Sequence, residues 1–304
     1  MPTAPANGIE LCYEVLGADD APPLLMIRGL GSQLVSWDPR LLDAFVDAGF
    51  RVIVFDNRDV GRSTWLDDGP VDADEAYRAF LAGEDAEVPY TLSDMAADAA
   101  GLLDALGIDA AHVLGISLGG MVAQALTIEH PDRVLSLTSV MSHTGEPGVG
   151  GASREALEAM SQEPAEGRDA AIEQAVAASR VYASPDHFDE DAWRARHAEE
   201  HDRAHHPEGQ LRQVLAVMGS PPRAEGLRSV EVPTVVIHGE VDPLVQVDGG
   251  RRTAELVPDA ELVVIDGMGH DLPEAFWGAY VDAVRGVAGR TAHPPRAVAA
   301  DREA

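Results

Sequence analysis

The chain has 304 residues, 45% hydrophobic and 24% charged, enough apolar material for a substantial core. Its 52 acidic side chains face 22 basic ones, all arginine, for a formal net charge of −30. That balance excludes a nucleic-acid binder, which must neutralise phosphates, and a protein of anionic membrane surfaces. We read the charge as a solubility adaptation, with steering of a cationic substrate as the alternative. No apolar run reaches the ~18 residues of a membrane span. The start, "MPTAPANGIE", lacks the basic and apolar regions of a signal peptide. The lone cysteine, Cys12, allows no intrachain disulfide and sits in the strand-like "IELCYEV", where a buried thiol is expected. The expectation is a cytoplasmic protein acting on a small molecule, with homo-oligomerisation left open.

In chain order, "IELCYEVLG" and the residues before it predict antiparallel edge pairing. Short apolar runs then read as buried strands of a parallel sheet: 23–29, 51–57, 111–117, 133–142, 233–240 and 260–267. Helix-like segments lie between most of them. They are 37–49, 91–107 with Ser93 as N-cap and Gly107 as its stop, 119–131 ending at a proline, and 274–289. Strands alternating with helices predict a parallel sheet with right-handed crossovers. The alternation breaks twice. Residues 65–90 are acidic and too long for a simple connection. Residues 143–229 hold no strand-like run and read as a helical cap. The expected division is a core of 1–142 and 230–289, the cap at 143–229, and a disordered tail over 290–304.

The chemistry gathers at the ends of these strands. "GISLG" (115–119) places Ser117 between a strand and a helix. A serine on that sharp turn has a strained backbone, and its neighbours two positions away must be small, as Gly115 and Gly119 are. A serine hydroxyl needs a base. His270, on the glycine-flanked loop "DGMGHDLP" after the last strand run, can reach back over the sheet. His143 is its rival, whereas His112 and His238 lie in strand runs and His130 ends a helix. The base needs an acid to set its tautomer. Asp242 in "EVDPLV" follows the penultimate strand, with Glu240, Asp248 and Glu146 as alternatives. The oxyanion hole is assigned to the N–H groups of Leu118 and of Leu30 in "IRGLGSQ". His197, His201 and His205 with Glu200 have zinc-like spacing, but a solvent-facing helix explains them, and no metal is assigned. No phosphate-cradling or dinucleotide fingerprint is present, so no cofactor is assigned. Trp65, Tyr77, Phe80, Tyr90, Tyr182, Phe188 and Trp193 of the inserted regions line a pocket or simply pack.

With these residues in place, the chain resembles the α/β-hydrolase fold superfamily. The resemblance rests on "GISLG", "VDP", "GMGH" and "IRGLGS" in the right order, and it covers roughly 9–142 and 230–289. It implies a mostly parallel central sheet flanked by helices, with a helical cap inserted between core strands. "FDNRDVGRST" (55–64) and "GMGHDLP" (267–273) are similar to a branch holding aclacinomycin methylesterase-like esterases of polyketide tailoring and cofactor-free haloperoxidase relatives. Many members carry a histidine where this chain has Arg28. Arg28 is expected to brace the oxyanion loop through Asp56, Asp59 or another carboxylate, or else to read a substrate carboxylate or carbonyl. Arg58 and Arg62 pose the same choice, with loop scaffolding favoured. The resulting expectation is a cofactor-free serine esterase. Perhydrolase, carbon–carbon hydrolase, thioesterase and lyase or cyclase chemistry use the same three residues, and a non-catalytic binding protein on this fold is a further alternative. A nucleophile-exchange dehalogenase is excluded, because it needs a carboxylate at position 117.

Overall fold

The computed structural model describes residues 1–291. The tail expected over 290–304 lies outside the described residues from 292 onward. One eight-stranded sheet organises the molecule, with strands β1 (Thr3–Ala6), β2 (Ile9–Leu16), β3 (Pro23–Ile27), β4 (Arg51–Phe55), β5 (Ala111–Ile116), β6 (Val134–Val140), β7 (Thr234–Gly239) and β8 (Glu261–Ile265). Their spatial order is β1-β2-β4-β3-β5-β6-β7-β8. The β1–β2 and β2–β4 pairs are antiparallel, and every other pair is parallel. The edge pairing expected at the N-terminus is therefore present.

The strand sequences explain the burial. "PLLMI" of β3, "AHVLGI" of β5 and "TVVIHG" of β7 are buried at every position, as strands covered on both faces must be. Alternate side chains serve opposite layers. Leu25, Ile27, Ile53, Phe55 and Val113 pack on one face with Met95, Leu102, Val122 and Leu126. Those residues belong to α3 (Leu92–Ala105) and α4 (Leu118–Glu129). Leu24, Met26, Val52, Val54 and Ile116 point the other way, against α1 (Pro39–Asp47) and α11 (Trp277–Ala288), where Phe45, Tyr280 and Val284 close the second core. Cys12 is buried in that second core as a free thiol.

One cap assignment changes. Ser93 is not the N-cap of α3. Thr91 is, with Asp94 completing a reciprocal capping box, because the helix begins one residue before Ser93. The 65–90 interruption contains α2 (Ala73–Leu81), started by Asp72. Between β6 and β7 lie α5 (Arg154–Met160), α6 (Arg168–Tyr182), α7 (Glu190–Arg203), α8 (Pro207–Met218) and the short α9 (Ala224–Leu227), and α10 (Asp248–Leu256) follows β7. The inserted helices α7 and α8 are pinned to the loop after β4. Arg203 of α7 bonds Asp56 at 2.7 Å, and Arg212 of α8 holds Asp59 through two bonds of 2.9 Å. Both carboxylates are fully buried, so removing either arginine would strand a buried charge. No helix among the described residues is long and apolar enough to cross a membrane.

Candidate active site

Ser117 joins β5 to α4 with φ 54° and ψ −119°, a conformation that costs a non-glycine residue roughly 1–3 kcal/mol. Its surroundings impose it. Ser117 N–H donates to the Val140 carbonyl at 2.9 Å, and Ser142 Oγ donates to the Ser117 carbonyl at 2.9 Å. A Cβ on Gly115 would stand 2.1 Å from the Gly119 oxygen, and one on Gly119 would stand 2.2 Å from the Ile27 oxygen. Both glycines are therefore required for β5, α4 and β3 to approach this closely. The side chain of Ser117 keeps partial exposure, with the N-terminus of α4 behind it to favour negative charge.

His270 and Asp242 come together from the loops after β8 and β7. His270 Nδ1 lies 2.7 Å from Asp242 Oδ2. A carboxylate oxygen accepts, so Nδ1 donates the hydrogen of this bond and Nε2 is left facing away from Asp242. Asp242 is buried, and its second oxygen accepts the Leu244 and Val245 N–H groups at 2.9 Å each. No hydrogen bond joins Ser117 Oγ to His270 among the described residues.

The alternatives are otherwise engaged. Glu146 is ion-paired with Arg252, which holds its carboxyl at about 2. Glu240 is exposed, and Asp248 accepts the Gly150 N–H. His143 Nδ1 accepts the Gly145 N–H, and burial pulls its imidazole down to about 4. His112 bonds Ser136 inside the sheet. His238 lies 3.6 Å from Asp242 Oδ2 but donates Nε2–H to the Val245 carbonyl at 2.7 Å. Both ring nitrogens of His197 are taken, by Ser179 and Glu200.

Neither the Leu118 N–H nor the Leu30 N–H donates to any acceptor among the described residues. The Leu30 loop is held from three sides. Gly31 N–H donates to Gln213 of α8 at 2.9 Å, Asn57 donates to the Arg28 carbonyl at 3.1 Å, and Gly29 abuts the Ser117 side chain. Arg28 does not brace this loop through Asp56 or Asp59, because Arg203 and Arg212 occupy those carboxylates. Arg58 does act as a scaffold: it bonds Asp98 of α3 twice at 2.6 Å, stacked over Tyr90. Arg62 contributes its backbone N–H to Asp56. Among the inserted aromatic residues, Trp65 stacks on His206 and Phe188 on Trp193.

Sequence reasoning missed the partner of the His270 loop. His270 N–H donates to the Tyr182 carbonyl at 2.7 Å. The buried Ser184 accepts the Gly269 N–H at 2.9 Å and gives Oγ–H to Asp271 at 2.5 Å, while its own N–H reaches Asp271 at 3.0 Å. Burial raises the Asp271 carboxyl above its usual range against these bonds. The only signal was the aspartate directly after the histidine in "GHDLP".

Comparison with known proteins agrees with this architecture. Residues 22–274 match the α/β-hydrolase fold family. The chain is 32% identical over 307 residues to rhodomycin D methylesterase DnrP of Streptomyces peucetius, covering 90% of this chain and 94% of the relative. It is 30% identical over 297 residues to rhodomycin D methylesterase DauP of Streptomyces sp. strain C5, covering 88% and 91%. The esterase RhEst1 from Rhodococcus sp. ECU1013 superposes with a TM-score of 0.73 at 22% identity, covering 95% of this chain and 98% of that one, a likeness of fold. The methylesterase relatives match the branch expected from the sequence, and this chain belongs to the α/β-hydrolase family of enzymes.

Proposed function

We propose that the protein is a serine hydrolase that cleaves a carboxylic ester, the methyl ester of a polyketide-type small molecule, through Ser117, His270 and Asp242. The observation that carries this reading is the His270–Asp242 hydrogen bond, formed past the C-terminal ends of β7 and β8, on the sheet edge where the parallel β5 delivers a serine held at positive φ. The methylesterase relatives supply the ester class. Ser117 Oγ attacks the ester carbonyl as His270 Nε2 takes its proton, and Asp242 stabilises the imidazolium. The oxyanion is received by the Leu30 and Leu118 N–H groups, each worth ~10²–10³ in rate. His270 then returns the proton to the departing alkoxide, which leaves as methanol. Water, deprotonated by His270 Nε2, attacks the acyl carbonyl; the bond to Ser117 Oγ breaks, His270 returns the proton to Oγ, and the free acid leaves. Residues 143–229, which carry α5–α9, form the cap over the site, and no cofactor takes part in these steps. The test is intact mass after incubation with a fluorophosphonate, alongside methanol release from methyl esters. One adduct on the native protein and none on Ser117→Ala is expected. An adduct that persists on Ser117→Ala refutes the nucleophile.

A further inference from the structure

Arg28 directly follows β3, and its side chain continues the alternation that sends Leu24 and Met26 toward the α1 and α11 layer. There its guanidinium stacks 4.8 Å over the Trp37 ring. Among the described residues no carboxylate, carbonyl or hydroxyl accepts from it. Its Nε is buried without a partner, while the two Nη atoms, equally unbonded, keep accessible surface. A guanidinium whose Nε is buried and unpaired carries a desolvation cost. It is not unpaired for want of carboxylates, since 52 acidic side chains accompany 22 arginines. Neighbouring arginines show the contrast, as Arg58, Arg203 and Arg212 each hold a buried aspartate.

A second arginine lies nearby. Arg196 of α7 stacks 4.9 Å over Trp193, and no carboxylate bonds it among the described residues. Burial, with the Arg196 charge alongside, pulls the Arg28 guanidinium down to about 10, which leaves it cationic at neutral pH. The nearby carboxylate, Glu200, is already bonded by Ser36 and His197. Arg28 is thus an aromatic-stacked cation one residue from Gly29, which itself abuts Ser117, and Arg196 brings a second aromatic-stacked cation to it from α7.

We propose that Arg28 and Arg196 form a subsite for an anionic oxygen of the substrate, a carboxylate or an ionised acidic phenol or enol, beside the ester that Ser117 attacks. The proposal rests on the esterase reading above and deepens it. Arginine is suited to this role, because its planar fork meets two oxygens at once while its face rests on tryptophan. The specificity it predicts runs against the overall charge: a protein of net charge −30 would otherwise repel an anionic substrate.

The test compares p-nitrophenyl half-esters of succinate, glutarate and adipate with neutral p-nitrophenyl esters of matched length. In the native enzyme kcat/KM is expected to favour the best half-ester. Arg28→Met should lower the anionic-to-neutral ratio about 10- to 100-fold, the worth of one charge-assisted hydrogen bond. Arg28→Lys should keep part of it, and Arg196→Gln should lower it as well. An anionic-to-neutral ratio within twofold of native in Arg28→Met overturns the proposal, and so does an equal loss on both ester types, which would mark a bracing residue. Should Arg28→Met fail to fold, Arg28→Lys and Arg196→Gln decide by the same ratio. If the native enzyme turns over neither ester, the hydrolase reading fails. Calorimetric binding of monomethyl against dimethyl glutarate then judges the subsite. Preference for the anion that Arg28→Lys or Arg196→Gln weakens supports it, and equal binding overturns it.

Discussion

Replacing Asp242 by asparagine isolates the function of one carboxylate from its structural duty. Asp242 Oδ1 accepts the Leu244 and Val245 N–H groups, and Oδ2 accepts His270 Nδ1–H. Asparagine has one oxygen for these three donors. The two backbone donors cannot move, so its oxygen faces them and its NH₂ faces His270. The imidazole must then accept at Nδ1 and carry its hydrogen on Nε2, where it can no longer take a proton from Ser117. The expected loss in kcat is about 10⁴, or ~5.5 kcal/mol of transition-state stabilisation. Both backbone bonds survive, so the melting temperature should stay near native. Asp242→Ala serves as the contrast: it also strands two N–H donors at ~1–3 kcal/mol each where buried, and should lower stability as well as rate. Steady-state hydrolysis of a p-nitrophenyl ester, with calorimetric melting on the same samples, measures both effects. A rate loss under tenfold for Asp242→Asn would refute the reasoning and move the acid elsewhere.

Other outcomes follow from single contacts. Gly115→Ala would put a methyl 2.1 Å from the Gly119 oxygen, and backbone must shift to admit it. A loss of ~1–3 kcal/mol in denaturant unfolding and slower fluorophosphonate labelling are expected, and native values for both would contradict the close packing. Ser184→Ala removes the hydroxyl that joins Gly269 to Asp271. It should cost ~1–3 kcal/mol of stability and lower kcat more than it raises KM, because the His270 loop loses its anchor; an unchanged kcat would assign Ser184 to packing alone. His112 is buried beside Ser136, and burial pulls its pKa from 6.5 to about 4. The unfolded chain takes up that proton first. The stability this group contributes is therefore complete above pH 6.5 and is lost as pH falls toward 4, up to about 3 kcal/mol. His112→Gln should flatten the fall in melting temperature between pH 6.5 and 4.5, and an unchanged slope would show that His112 does not drive it.

The chain by itself determined what depends on neighbours along it. The β3, β5 and β7 runs announce buried parallel strands because they are apolar on both faces. "GISLG" announces the Ser117 turn because its geometry needs small residues at fixed offsets. Asp242 and His270 were legible by position, each just past a strand whose C-terminal end opens on the same edge of the sheet. Register errors such as Ser93 for Thr91 stayed local. Only the tertiary structure decided which of many charges meet. Asp56 and Asp59 were as available to Arg28 as to Arg203 and Arg212, which lie 147 and 153 residues away from them. Proximity along the chain favoured Arg28, yet helices α7 and α8 carry their arginines onto those carboxylates and leave Arg28 over Trp37. The Ser184–Asp271 contact spans 87 residues for the same reason. In a sequence with 52 carboxylates, pairing is set by which side chains the packed helices bring within about 3 Å after burial has removed water as a competing partner, and no local pattern encodes that choice.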